Sequence, residues 1–492
     1  MDVKRKRVRK NQQGSEWNII SIMSYGAKLL VFLIILLPLG AGLVQQPIPQ
    51  ALDYSDGLSS IKDSIASGDF AEELSGLESV LEYSPWRGDL WQRAGRLYLD
   101  TGQLGRAISA FEQARSVQQL DAQGQVWLAD ALLSNGEIDE ARQLLVSIEI
   151  QDSFILMQAA SLLRQAGDLE GTTAALLKAY PLAPRNTELN YLLGIQLMAQ
   201  HPDDALNYLE QAQSDPTRGA SVGGLINTLE FYGDLAGSAE WYIYAGQALS
   251  QVEEWDVAAQ SFEFAVVSYP ENASAWALLG EAQQQLGKDG KPNLDKAVQL
   301  DPEGELTNGL MGLYFRRQGE LEQALLFMQK ALSANPQAAV WEIEMGDTLA
   351  ETGKLEDALS HYRGAVEIDP SDWVSWRALA KFSVTRNYQV EEIGLDAASQ
   401  ALALYPDNPV LMDLLGTAYL VLGDLDSAER FFFQALEIDP EQAAILIHLG
   451  QLNLYRGDKD AAISYLRRAS ASASDDRLRE MADRLLEEIG TR

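Results

Sequence analysis

Not one of the 492 residues is a cysteine. That excludes disulfides, thiol catalysis and cysteine-held zinc, and an exported chain of this kind needs no oxidative folding machinery. Histidine is almost as scarce. His201, His361 and His448 lie far apart, at no spacing that would join two of them on a metal. A phosphate-binding loop is missing as well: Gly287-Lys288-Asp289-Gly290-Lys291-Pro292 has neither the required spacing nor a following Ser or Thr. No stretch alternates apolar and polar residues between turn pairs, so strands are not expected. Positive charge is in deficit. The formal net charge is −33, and residues 1–28 carry seven Lys or Arg against Asp2 and Glu16, a net of +5 that leaves −38 for the rest. Such a surface repels phosphate backbones and anionic lipid, which argues against a nucleic-acid partner. Asp and Glu are too abundant on polar helix faces for any carboxylate pair to stand out. The expectation is a non-enzymatic chain without cofactor or metal.

What is present is a period. Gly68, Gly102 and Gly136 are 34 residues apart, as are Gly319 and Gly353, and Gly423 and Gly457. Asp-Pro or Asn-Pro steps close units at Pro302, Pro336, Pro370 and Pro440. A fixed period of this size means stacked helical hairpins, each burying its apolar face only against its neighbours. Within one unit the order is Leu415-Gly416, Tyr419, Gly423, Ala428, Phe432, Ala435 and Pro440. Met311-Gly312, Phe315, Gly319, Ala324, Met328, Ala331 and Pro336 repeat it. Gly416 and Ala428 are small where two helices must approach, Tyr419 and Phe432 fill the gap between hairpins, and Gly423 supplies the positive φ of the turn.

This pattern resembles the tetratricopeptide repeat. The resemblance covers about residues 54–474 and implies an all-α, right-handed superhelical solenoid of about twelve hairpins. Two repeat blocks are expected, 54–218 and 239–474, separated by an irregular stretch at 219–238 that reads as one helix, either a degenerate repeat or a joint. A capping helix and tail follow at 475–492, with Leu478, Met481, Leu485 and Leu486 on one face. Some units depart from the pattern. His201-Pro202 replaces a turn glycine, the second helix near Lys291-Pro292 is short, and two extra residues lie near Gln389.

The front of the chain is different. Residues 1–24 are basic, with six Lys or Arg between Lys4 and Lys10. From Leu29 to Val44 there is no charge, and a helix of that length reaches about 24 Å, so starting at Tyr25 with Lys28 snorkelling supplies the rest of a ~30 Å core. The expectation is one transmembrane signal anchor at 25–44 and a linker at 45–53. The N-terminus would be cytoplasmic and the repeats outside a bacterial cell membrane. A cleaved signal peptide, with Leu29–Leu37 as its apolar core, is the alternative and also exports the repeats.

The resemblance implies a groove lined by the first helix of each hairpin, binding proteins or peptides. Its places include Gln92 and Arg96, Val126 and Asp130, Tyr191 and Ile195, Ala277 and Glu281, Ile343 and Asp347, Arg377 and Lys381, and Ile447 and Gln451. No asparagine occupies them, so the family's Lys/Asn clamp for a peptide C-terminus is absent. One concentration of positive charge remains, Arg316, Arg317, Arg377 and Lys381. It reads either as an anchor for an acidic peptide or as internal pairing with Asp347 and Glu351. The functional expectation is a membrane-anchored interaction scaffold of the cell envelope. The alternative is a non-catalytic subunit, or a partner-dependent enzyme, in glycan or lipid-sugar assembly or secretion.

Overall fold

A computed structural model of the chain describes residues 48–215 and 218–490. Among them are 26 α-helices and no strand, and eleven successive pairs pack as helical hairpins. The loop glycines set this pattern. Gly102, Gly136, Gly319, Gly353, Gly423 and Gly457 have φ of 71–85°, a region that other residues enter only under strain. Where glycine is missing, another residue bears the turn: Glu253 with φ 63° and Asn387 with φ 48°. Several helices, first or second in their hairpins alike, then start on an acidic or amide side-chain cap. Asp424, for example, accepts from the Ser427 N–H, and Asn408 from the Val410 and Leu411 N–H groups.

Packing divides the chain into two compact units, the first ending at Leu189 and the second beginning at Asn190. The first unit opens with the helix Ile48–Ser67, which starts inside the span read as linker; Pro49 sits in its first turn, where a missing N–H costs nothing. This helix forms a hairpin with Phe70–Tyr83, and three more follow: Gly88–Asp100 with Leu104–Ser116, Ala122–Ser134 with Ile138–Ser147, and Ser153–Gln165 with Leu169–Ala179. Leu77, Leu97, Phe111, Leu128 and Leu163 are fully buried between them. Each such side chain contributes about 1.5–3 kcal/mol of transfer free energy.

The second unit contains the helix Gly219–Tyr232, followed by a 3₁₀ turn, where the sequence interrupts its period. It packs on Pro202–Ala212 before it and Ala239–Gln251 after it. Trp241, fully buried, donates its indole N–H to the Ala199 carbonyl at 2.8 Å and so ties the two sides of this helix together. Seven regular hairpins then run from Ala239 to Ser472. The irregular ones follow the sequence: the second helix Lys291–Leu300 is short with proline in its first turn, and the residues after Gln389 (φ 51°) form a π turn, Val390–Gly394, that absorbs the added length. The closing helix Asp476–Gly490 lays Leu478, Met481, Leu485 and Leu486 against Leu446, Leu466 and Ala469.

Phe432 fills the gap between hairpins as the sequence suggests, and it also packs within its own hairpin. Its ring lies over Gly416 in its own hairpin, where an added Cβ would come within 2.6 Å, and its other face meets His448 of the next hairpin. Phe111 and Phe262 cover Gly95 and Gly246 in the same way. The glycine thus admits a ring as well as a close backbone. Among the described residues no helix is long and apolar enough to cross a membrane. The segments 1–24 and 25–44 lie outside the described residues.

Candidate functional site

The first helices carry most of the polar contacts that link one hairpin to the next. In the first unit, the Gln92 amide donates to Asp121 Oδ1 at 2.9 Å, while the Arg96 guanidinium, oriented by Asp100 of its own helix, lies over the Trp127 ring of the next hairpin. In the second, Arg317 grips Glu281 with two bonds of 2.6 and 2.8 Å, and His448 Nδ1 meets Asp413 at 2.7 Å. These bonds hold adjacent hairpins in register.

Several places expected to line the groove are not available to a partner. Val126, Tyr191, Ile195, Ala277 and Ile447 are buried. An apolar residue at these positions is drawn into the contact with the neighbouring hairpin, whereas Ile343 stays half-buried at the surface.

The four cations divide into two kinds. Arg316, on the helix Glu305–Arg317, is enclosed by carboxylates of the next hairpin: Glu344, Glu351 at 2.9 Å and Asp347 at 3.4 Å. Burial works against its charge, but these three carboxylates outweigh that and raise its pKa. Glu344 is raised too, because its own desolvation exceeds the pull of Arg316. Asp347 also accepts the Tyr362 hydroxyl, whose pKa is raised by burial and by that carboxylate. Arg317 is held by Glu281. Both arginines are therefore internal ties, Arg316 to the very carboxylates the sequence suggested.

Arg377 and Lys381 differ. They lie one turn apart on the helix Trp373–Thr385 and face a concavity of about 390 Å³ across from Glu344 and Asp347. Arg377 stacks over the Trp373 ring at 5.6 Å, and its Nε is buried without a hydrogen-bond acceptor. Lys381 is exposed. Arg386, at the C-cap of the same helix, lines the same concavity and was not singled out from the sequence. Its signal was available: it lies five residues past Lys381, just before the left-handed Asn387.

Stacked helical hairpins with a cross-linked first-helix face define a helical-repeat scaffold suited to binding other proteins. The sequence pattern described as Tetratricopeptide repeat matches residues 93–152, 245–300, 310–372 and 414–477. The chain belongs to the tetratricopeptide-repeat family. It is similar to human Protein O-mannosyl-transferase TMTC1, 26% identical over 207 residues, 41% of this chain and 23% of that protein. It is also similar to the TPR repeat-containing protein YpiA of Bacillus subtilis (strain 168), 22% identical over 287 residues, 57% of this chain and 63% of that one. The solved structure of yeast Tom70 superposes with a TM-score of 0.42 and 13% identity, covering 90% of this chain and 96% of that chain. The chain spans less than half the length of TMTC1 and of several other curated relatives it matches.

Proposed function

We propose that this chain is an interaction scaffold of the bacterial cell envelope, held at the membrane by residues 25–44 with its repeats on the outer side. The observation that carries this reading is the order of its parts: a +5 flank, then an uncharged apolar segment, then the acidic repeats. The flank stays in the cytoplasm, the segment spans, and the array presents its first-helix face to envelope proteins. Protease added to intact spheroplasts should digest the repeats and leave a short membrane-bound stub. Protection of the repeats in sealed cells would sink the reading. Carbonate extraction then separates an anchor, which stays in the pellet at full length, from a cleaved leader, which releases the repeats.

A second reading has one observation in its favour, the match to a protein named as an O-mannosyl-transferase. In that reading the repeats hold or position an enzyme of glycan or lipid-sugar assembly. The matched part is only 23% of that protein, so a likeness in the repeats accounts for it equally well. Transferase activity that copurifies with the chain from native membranes, and is absent from the chain purified alone, would favour the second reading.

A further inference from the structure

The cations of the helix Trp373–Thr385 carry the scaffold reading one step further, and the step rests on that reading. Arg316 and Arg317 spend their charge inside the chain. Among the described residues Arg377, Lys381 and Arg386 form no ion pair, and all three line one concavity in a chain of net charge −33. The nearest carboxylates, Glu344, Asp347 and Glu351, are already engaged by Arg316 and Tyr362. The Arg377 Nε–H is a buried donor without an acceptor, which an incoming oxygen would satisfy. Val340 and Val374 stand exposed in the same wall.

We propose that this concavity docks an extended acidic segment of a partner protein, with carboxylates on Arg377, Lys381 and Arg386 and apolar side chains on Val340 and Val374. The spacing suits such a segment. Four helical residues rise about 6 Å, close to the ~6.6 Å between alternate side chains of an extended strand. A peptide can place acids on one side and apolar groups on the other. A nucleic acid carries a charge at every residue, and that continuous negative charge would meet Glu344, Asp347 and Glu351 across the same space.

The test uses the full-length chain and a fluorescein-labelled octapeptide of alternating Glu and Val, with a Gln/Val octapeptide as control. The expected result is saturable binding that weakens with salt and is at least about ten-fold weaker for the Gln peptide, as charge-assisted contacts require. Arg377→Glu with Lys381→Glu should lower affinity at least about ten-fold, whereas Arg363→Glu, exposed on another helix, should not. If the double reversal lowers the melting temperature, Arg377→Gln with Lys381→Gln serves instead. Unchanged binding by a folded double variant overturns the site, as does equal displacement by an octamer of thymidine, which would make it a general anion patch. Crosslinking in native membranes separates this site from the scaffold reading beneath it. Partners recovered equally by wild type and variant sink the site alone; partners recovered by neither sink the scaffold and the site together.

Discussion

His448 Nδ1 lies 2.7 Å from the Asp413 carboxylate, with Thr417 beside it and the Phe432 ring stacked at 5.7 Å. Burial alone would lower its pKa; the carboxylate outweighs burial and raises it above the ordinary value of 6.5. A raised basic group stabilises the fold fully below its unfolded pKa, and that contribution is lost as pH rises through the folded one. The pair should therefore support the last two hairpins at acid pH and fade as pH rises past the ordinary imidazole range. In Asp413→Asn the imidazole should titrate below wild type in NMR spectra, and the stability gap between the two proteins should close as pH rises. An unmoved midpoint would contradict this assignment. Residue-scale facts of this kind were partly legible. Asp347 and Glu351 were readable as partners of Arg316 because they occupy helix faces one hairpin further on. Glu344 was not, nor was the free Nε of Arg377, because both depend on side-chain rotamers that no spacing encodes.

Many hairpins depend on a glycine of the first helix covered by a large side chain of the second, a ring in some and Leu or Met in others. Ala428 is fully buried on the helix Leu425–Ile438, and its carbonyl lies within 3.2 Å of the position a Cβ would take on Gly416. Phe432, one turn further on, lies over the same glycine. Ala428→Leu should therefore overpack this seam and cost about 1–3 kcal/mol, measured by chemical denaturation. Since a hairpin touches only its neighbours, hydrogen exchange should quicken between Trp373 and Ser472 and stay unchanged in the first unit. Uniform loosening would refute nearest-neighbour packing. The element scale is where sequence speaks most plainly. A glycine that must turn, a small residue that must touch and a proline that must stop each leave one recurring letter. The π turn after Gln389 was legible only as surplus length, since two added residues can form a bulge, a longer loop or a longer helix.

Over the whole molecule the two kinds of division do not coincide. The sequence breaks its period at 219–238, whereas packing divides the chain between Leu189 and Asn190. A lost signature need not be a lost contact: Trp241 bonds to Ala199 across the lone helix and keeps the second unit continuous there. Periodicity reports local pattern, and a division between units reports how many contacts cross a point, which a repeat motif does not record. The same nearest-neighbour logic governs the closing helix. Its Leu478, Met481, Leu485 and Leu486 cover the hairpin Ala443–Arg456 with Lys459–Ser472, while its charged residues face water. Met481→Asp with Leu485→Asp should release this helix by placing two carboxylates in an apolar seam, a change costing several kcal/mol when they stay buried. Undocking is the cheaper outcome. Exchange should then rise from Ala443 to Gly490, with exposed apolar surface detectable by dye binding, while the hairpins from Glu305 to Leu404 keep their protection. Unfolding curves should lose two-state character, the last hairpin melting before the rest of its unit. A single cooperative transition shifted as a whole would show that stability is shared along the array, and that the one-dimensional description fails.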